Sequence, residues 1–138
     1  MATLVDVTGR SQQSDQVWVA RSATFVDPDD GYYGVIKIPK CAFITQLWVV
    51  ITTAFTAAGA ILTIGFEGNG DTANTQAFMS TDVTKPTATG IKRSYVENVL
   101  AIEGKWFSTN RGMITVTTDD QGGTAGTFTV FAEFAQIF

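Results

Sequence analysis

The chain has 138 residues and a formal net charge of −4, and 45% of its residues are hydrophobic while only 16% are charged. Its basic residues are scattered, which excludes nucleic acid as the main partner because phosphate binding needs clustered lysine and arginine. The sequence has no histidine and a single cysteine, which excludes Ser-His-Asp and Cys-His catalysis and zinc sites built from those residues.

The composition of the surface favours contact with other proteins. A chain of this length can bury a real core in one domain, but it has few charges to cover its outside. Threonine occurs 21 times, and it suits exposed strand positions because it is β-branched and can hydrogen-bond across strands. A low-charge surface lowers the cost of desolvation on association. We therefore favour a protein that contacts other protomers over a plain threonine-rich β-protein.

Residues 1–16 differ from the rest of the chain. Leu4, Val5 and Val7 form a short strand candidate, and the following residues are polar without periodicity. This pattern predicts either an arm that docks on a neighbouring subunit or an ordinary frayed terminus. A basic start followed by an apolar run is lacking, so we expect no signal peptide. The longest apolar stretch, residues 47–60, is interrupted by threonines and a glycine and is too short for a membrane span.

Strand signals repeat from residue 17 onwards. Residues 17–26 are rich in β-formers, residues 27–31 form a turn with proline and glycine, and residues 32–38 are the next strand. Residues 43–53 are a nearly continuous run of β-branched and aromatic side chains, which predicts a central strand buried on both faces. Cys41 beside this run is expected to be a small buried hydrophobe.

The middle of the chain alternates strands and loops. A short run of small residues separates the strand at 43–53 from a second apolar run at 61–66, and this spacing predicts a hairpin. The elements that follow are a Gly/Asn/Asp loop at 67–75, a short strand at 77–79, a polar surface connection at 81–89 and an ambiguous segment at 91–99.

The last strand has the clearest pattern. It follows predicted strands at 106–107 and 112–118 and a loop at 119–126. Within residues 127–138 the more apolar face should point to the core because side chains alternate across a strand; its members are Phe128, Val130, Ala132, Phe134 and Phe138. The other face mixes polar residues with Phe131 and Ile137, which predicts that something else partly covers it.

These elements predict an all-β protein. About eight strands at near-regular spacing, with turns of Gly, Pro and Asp and no sustained helical stripe, indicate a single-domain β-sandwich or jelly roll. We expect residues 1–16 to be an arm or a loosely attached strand, and residues 17–138 to be the β-sandwich domain.

The sequence predicts no catalytic, metal or cofactor site. Most carboxylates lie in turn-like loops, where turn chemistry explains them. The loops at 27–31 and 67–71 combine oxygen ligands with glycine, but neither matches the calcium-binding EF-hand, and residues 65–70 lack the ending of a phosphate loop. Three tryptophans (Trp18, Trp48 and Trp106) could form a sugar-stacking platform, although tryptophan in a strand more often fills a core or an interface.

Residues 32–80 resemble a family of small tailed-bacteriophage virion proteins. The shared pattern is Ile-Pro-small-Ala, a β-run, Thr-x-Ala-Phe, a glycine and apolar-Thr-apolar-Gly. The residues that carry it here are Ile38, Pro39, Ala42, Thr52, Ala54, Phe55, Gly59, Leu62, Thr63, Ile64 and Gly65. An Asp-rich segment and a C-terminal aromatic strand follow, as in many members, while Lys40 and Cys41 replace the small residues that are more usual.

The resemblance implies a jelly-roll or β-sandwich module of the capsid exterior, often a cement or decoration protein. Our leading hypothesis is a homotrimer that binds the major capsid protein on the virion surface, and from the residues we expect no enzymatic activity, cofactor, nucleic acid or membrane. The interface residues that we expect from the arm and the partly covered strand faces are Leu4, Val5, Val7, Trp18, Phe131 and Ile137. The alternative is a neck, tail or head-fibre module of the virion that binds host glycans.

Overall fold

A computed structural model describes residues 16–39, 42–68, 71–93, 106–107 and 111–136. These residues form ten strands and one short helix. In chain order they are β1 (Gln16–Arg21), β2 (Phe25–Val26), β3 (Gly31–Ile38), β4 (Ala42–Thr53), β5 (Ile61–Gly68), β6 (Asp71–Met79), α1 (Thr81–Thr84), β7 (Gly90–Arg93), β8 (Trp106–Phe107), β9 (Gly112–Asp119) and β10 (Thr127–Gln136).

The strands form two antiparallel sheets with the topology of a jelly roll. The large sheet has the order β1-β10-β4-β7, with β2 also pairing β10 and β8 also pairing β4. The small sheet has the order β3-β9-β5-β6. Because the chain passes repeatedly from one sheet to the other, neighbouring strands in a sheet are mostly distant in sequence, as in a double Greek key. The predicted all-β sandwich of jelly-roll form is confirmed.

The core fills the space between the inner faces of the two sheets. Phe128 of β10 lies at one end of this core, where its ring stacks on Phe25 at 4.9 Å and lies 6.1 Å from Phe55. The predicted inner face of β10 is confirmed within the described residues, since the following four side chains are fully buried: Phe128, Val130, Ala132 and Phe134. Phe138 lies outside the described residues.

The predicted hairpin between residues 43–53 and 61–66 is wrong. β4 belongs to the large sheet and β5 to the small sheet, so the connection between them crosses the end of the sandwich. Phe55 and Ala60 on this connection are both buried in the core. Because the crossing segment contributes side chains to the core, it joins two layers rather than two paired strands.

The prediction that β4 is buried on both faces is also wrong, although its central position is confirmed. Ile44, Leu47, Val49 and Ile51 are buried, whereas Thr45 and Gln46 are exposed. Trp48 is only half-buried, and it points away from the core. The outer face of β4 is thus partly exposed to solvent. Because outward residues such as Trp48 are apolar, the sequence does not show the alternation of buried and exposed side chains along this strand.

The segment predicted as one strand at 17–26 is divided into β1 and β2, and both pair with β10. Ser22 lies at the division, where its hydroxyl donates to the Ala23 carbonyl at 2.7 Å and accepts from the Val130 amide at 3.0 Å. The buried Ser22 side chain therefore satisfies a β10 backbone group that a continuous strand would have paired.

The connection predicted at 81–89 contains α1, a helix of one turn. No helix in the described part of the chain is long and apolar enough to cross a membrane. Thr84 of α1 is fully buried, and its hydroxyl donates to the Leu62 carbonyl at 2.7 Å and to the Thr81 carbonyl at 3.3 Å. This side chain fastens the helix to β5.

A pair of buried threonines provides a test of this hydrogen bond. We expect Thr84→Val to lower the free energy of unfolding by about 1–2 kcal/mol, because the Leu62 and Thr81 carbonyls lose the hydroxyl donor. Thr118 is 2% exposed, and its hydroxyl has no hydrogen-bond partner among the described residues. We expect Thr118→Val to raise the free energy of unfolding by about 1 kcal/mol, because it removes an unsatisfied polar group.

Urea denaturation of both variants and the parent protein checks this expectation. The two substitutions make the same chemical change, so their opposite signs isolate the hydrogen bond from the effect of adding a methyl group. Equal shifts of the two midpoints in the same direction would contradict the assignment.

Candidate interaction surface

Four side chains form a row across the outer face of the large sheet. The register pairs Arg21 of β1 with Phe131 of β10, Phe131 with Trp48 of β4, and Trp48 with Arg93 of β7. Because the strands alternate their side chains between faces, all four residues point away from the core. The row has an aromatic pair in the middle and an arginine at each end.

The aromatic pair is held by stacking. The rings of Trp48 and Phe131 are inclined by only 5°, with centroids 5.6 Å apart. The Arg93 guanidinium lies over the Trp48 ring at 5.8 Å, close enough for a cation–π interaction. Since β10 and β7 flank β4 on opposite sides, Phe131 and Arg93 cover opposite faces of the indole. Both contacts occupy part of the Trp48 ring, so less of it is open to stacking on a sugar.

Exposed aliphatic side chains surround this row. Val17 and Val19 of β1 are 66% and 53% exposed, and Ile91 of β7 is 58% exposed. Val50 of β4 lies opposite Ile91 on the same face and is half-buried. We define the outer patch as the following set: Val17, Val19, Arg21, Trp48, Val50, Ile91, Arg93 and Phe131. Glu133 lies opposite Val19 on this face. Exposed apolar side chains gathered on one face of a sheet are typical of a protein-interaction site.

The arginines of the outer patch have no acidic partner among the described residues. Arg93 donates a hydrogen bond to Gln46 at 3.4 Å, and Arg21 makes no side-chain hydrogen bond or ion pair within the described part of the chain. Glu133, the carboxylate on this face, accepts a hydrogen bond from the Thr45 hydroxyl at 2.8 Å. Arg21, Arg93 and Glu133 thus lie on the same face of the sheet, on a chain whose net charge is −4.

The structure separates the residues that the sequence analysis proposed as an interface. Phe131 lies in the outer patch, whereas Trp18 lies on the opposite face of β1, with its ring 5.6 Å from that of buried Phe134. Leu4, Val5, Val7 and Ile137 lie outside the described residues. The sequence analysis missed the contribution of Trp48 to this surface. An interpretation of β4 as a strand with one exposed face would have placed Trp48 there.

The acidic loops meet at one end of the sandwich. Carboxylate oxygens of Asp30, Asp119 and Asp120 all lie within 4.8 Å of one another. Asp30 accepts from the Asp120 amide at 2.9 Å, Asp120 accepts from the Gly122 amide at 3.0 Å, and Asp119 accepts from the Gln121 amide at 2.9 Å. These carboxylates therefore order the backbone of the loops, as the turn chemistry of the sequence predicts.

A groove of about 510 Å³ lies on the small sheet. Its lining residues are Lys37, Glu67, Gly68, Ala73, Arg111, Gly112 and Met113. The Tyr32 hydroxyl donates to a Glu67 carboxylate oxygen at 3.0 Å. Burial raises the pKa of Tyr32, and the neighbouring Glu67 carboxylate adds to the rise, so Tyr32 remains a neutral donor at physiological pH. The groove carries side chains of both charges.

The fold is similar to that of chains in phage capsid structures, while no family model and no curated protein matches the sequence. A chain of the cyanophage Pam1 capsid asymmetric unit has a TM-score of 0.68 at 10% identity, over 97% of this chain and 94% of that chain. A chain of the acidic stable capsid of Helicobacter pylori bacteriophage KHP30 has a TM-score of 0.60 at 12% identity, over 87% and 91%. A chain of the capsid of Ralstonia phage GP4 has a TM-score of 0.59 at 16% identity, over 100% and 91%. At identities this low, the structural similarity establishes a shared fold alone.

Proposed function

We propose that the chain is a structural virion protein of the cement or decoration type, which binds the outer surface of a bacteriophage head. The observation that carries this proposal is the fold, which matches chains of three phage capsid structures over most of their length. The sequence resemblance at residues 32–80, a pattern of core residues and turns, points to the same class of virion proteins. The chain acts by contact, and we assign it no catalytic activity.

The proposed mechanism is mechanical. A protein that binds the assembled shell, and not its separate subunits, stabilises the shell by mass action. Such a protein needs surfaces that release water readily, and the chain has only 16% charged residues together with the exposed outer patch. Low charge at the centre of a contact surface is the feature that separates interfaces from the rest of a protein surface.

We further propose that the protein works as a homotrimer, with the major capsid protein as its second partner. A trimer presents three copies of the surface that contacts the shell, and this multivalency strengthens attachment without new contacts in each copy. The partly covered ring of Trp48 supports protein contact rather than glycan stacking at the outer patch.

Two measurements test the function. Light scattering on the purified protein should give the mass of a closed oligomer, and addition of the protein to shells assembled without it should raise their melting temperature. Bovine serum albumin at equal concentration is the control for non-specific protection. A monodisperse monomer that neither binds shells nor shifts their melting temperature would contradict the proposal, whereas labelling confined to a tail or neck with glycan binding would favour the alternative.

A further inference from the structure

The outer edge of β1 carries backbone groups that no described strand pairs. β1 is the first strand of the large sheet, and among the described strands it pairs with β10 alone. The Ser22 amide donates to the Val130 carbonyl at 2.8 Å, and these two residues continue the β1–β10 register. Because hydrogen-bonded pairs alternate along an antiparallel ladder, the residues two and four positions before Ser22 also bond to β10. The amides and carbonyls of Val17, Val19 and Arg21 therefore point to the open edge.

β1 lacks the features that discourage edge pairing elsewhere in the described part of the chain. The edge strand β7 contains a glycine and a lysine, β3 has a register shift beside Gly34, and β6 has two register shifts against β5. β1 contains no glycine, proline or lysine, and it pairs with β10 without a shift. Its outward side chains Val17 and Val19 are largely exposed. A flat apolar edge of this kind is a template for pairing with another chain.

The sequence around β1 is complementary to itself when two copies run antiparallel about a two-fold axis at Trp18. In that register Val17 of one copy lies opposite Val19 of the other, and Arg21 lies opposite Asp15. Both pairs join odd-numbered positions, so the edge groups of the two strands meet and the side chains stay on the outer face. Apolar pairs and pairs of opposite charge are those that stabilise neighbouring strands.

The charge pair employs an arginine that has no partner in its own copy. Arg21 makes no side-chain hydrogen bond or ion pair within the described part of the chain. Glu133 lies on the same face opposite Val19, but it belongs to β10, one strand inside the sheet, and it accepts a hydrogen bond from a threonine of β4. Asp15 directly precedes β1, so in a second copy it continues the edge and is the carboxylate that meets Arg21.

Trp18 gives the contact an apolar centre on the core side. Its ring is half-buried and lies 5.6 Å from that of Phe134. With the axis at Trp18, the two indole rings face each other in a pair without backbone hydrogen bonds, where side chains are closest, and they cover the open side of both cores. An axis at Val19 would place Arg21 opposite Val17 and leave the charge unpaired. The charges therefore favour the axis at Trp18.

We propose that β1 of one copy pairs with β1 of a second copy of this chain, antiparallel about a two-fold axis at Trp18. The contact is isologous and closes on two copies, so it differs from the contact that forms a homotrimer. It extends the large sheet through both copies and makes their outer patches continuous. In the proposed virion protein it joins copies that belong to different trimers, although the contact itself depends only on β1 and Asp15.

Cross-linking between exposed positions tests the register. One variant carries Val17→Cys and another carries Val19→Cys, both with Cys41→Ser to remove the native thiol. Mild oxidation of an equimolar mixture should give covalent dimers, because the paired Cα atoms lie about 5.5 Å apart, within reach of a disulfide. Either variant alone should give at least tenfold less covalent dimer, because each cysteine then has its counterpart only on the diagonal.

A matched pair of lysine substitutions tests the association itself. We expect Val19→Lys to raise the dissociation constant of the step that doubles the mass at least tenfold in sedimentation velocity, because it brings two lysines and two arginines together beside the axis. Val26→Lys is the control, since Val26 is an equally exposed valine of β2, outside the proposed contact. It should associate like the parent. Circular dichroism of both variants should match the parent, which separates lost association from lost folding.

Exchange of the two charges tests the ion pair. Arg21→Asp places two carboxylates opposite each other at both ends of the contact, so we expect the same dissociation constant to rise about threefold or more. The double variant Asp15→Arg with Arg21→Asp restores opposite charges and should return the constant to that of the parent. A double variant that associates as weakly as Arg21→Asp would contradict this pairing.

The outcomes separate this contact from the proposed trimer. Covalent dimers in the mixture, with few in the single variants, support the contact at Trp18. Efficient cross-linking of the Val19→Cys protein alone overturns it in favour of an axis at Val19. If the mixture gives no covalent dimer while light scattering shows a trimer, the β1 contact is overturned and the trimer stands. If the mixture cross-links but no trimer is found, the β1 contact stands and the trimer is overturned.

Discussion

Replacing Gly65 with alanine should destabilise the fold by about 3 kcal/mol or more, although the substitution only adds a methyl group and removes no contact. A methyl group at this position would overlap the carbonyl oxygen of Asn74, and it would lie 2.7 Å from the Cα atom of Thr75. Both neighbours are backbone atoms of β6, so relief requires the strand to move rather than a side chain to rotate.

The close approach follows from the register of β6 on β5. Ile64 pairs with Met79 and Phe66 pairs with Asn74, so Gly65 alone stands opposite four residues of β6, 75–78. The excess chain passes over Gly65, on the outer side of the small sheet. Thr115 of β9 lies opposite Gly65 and is fully buried. Gly65 thus allows β6 to cross the sheet and cover it.

Gly59→Ala is the matched control for this prediction. Gly59 is exposed on the β4–β5 connection, and the nearest atom to an added methyl group is Cγ of Gln121 at 3.8 Å, an ordinary contact distance. We expect its stability to change by less than about 0.5 kcal/mol. Chemical denaturation of the two variants gives the comparison, and a Gly65→Ala protein as stable as Gly59→Ala would show that the crossing of β6 is wrong.

The second large effect concerns two phenylalanines on opposite faces of β10. Phe128→Ala should lower the free energy of unfolding by about 3–5 kcal/mol, because the ring is fully buried and its removal leaves a cavity beside Phe25 and Phe55. Phe131→Ala removes a half-buried ring that contacts Trp48 on the outside. We expect it to cost about 1 kcal/mol of stability and to weaken self-association.

The two variants make the same substitution three residues apart, so each is the control for the other. Thermal unfolding monitored by circular dichroism measures the first effect, and sedimentation velocity measures the second. Comparable losses of stability would contradict the assignment of the two faces. A Phe131→Ala protein that retains full self-association would show that the outer patch around Phe131 lies outside the contacts between copies.

The amino-acid sequence predicts the strands of this protein well where one face is polar. In β10 the alternation of Phe128, Val130, Ala132 and Phe134 with mixed residues identifies the core face, and the structure confirms it. In β4 the same reasoning fails, because Trp48 and Val50 point outward and make the strand look apolar throughout. The feature that defeated the prediction is the outer patch, which is also the candidate functional surface.

The hairpin error has a different cause. A short loop between two apolar runs has the same local pattern whether the runs pair with each other or belong to opposite sheets. The choice here depends on β4 pairing with β10, more than seventy residues later in the chain, and on Phe55 filling the end of the core. Both contacts join residues that are distant in sequence, so the local sequence pattern cannot predict them.

The sequence by itself therefore determined the fold class, the approximate strands and the absence of histidine-based chemistry, since these depend on composition and on the two-residue period of a strand. Only the tertiary structure decided which strands are neighbours and which side chains meet. Arg21, Trp48, Arg93 and Phe131 are spread over more than a hundred positions of the sequence, and they become one row because antiparallel pairing sets their register. Register is a property of pairs of strands, which is why the outer patch could not be found in any one of them.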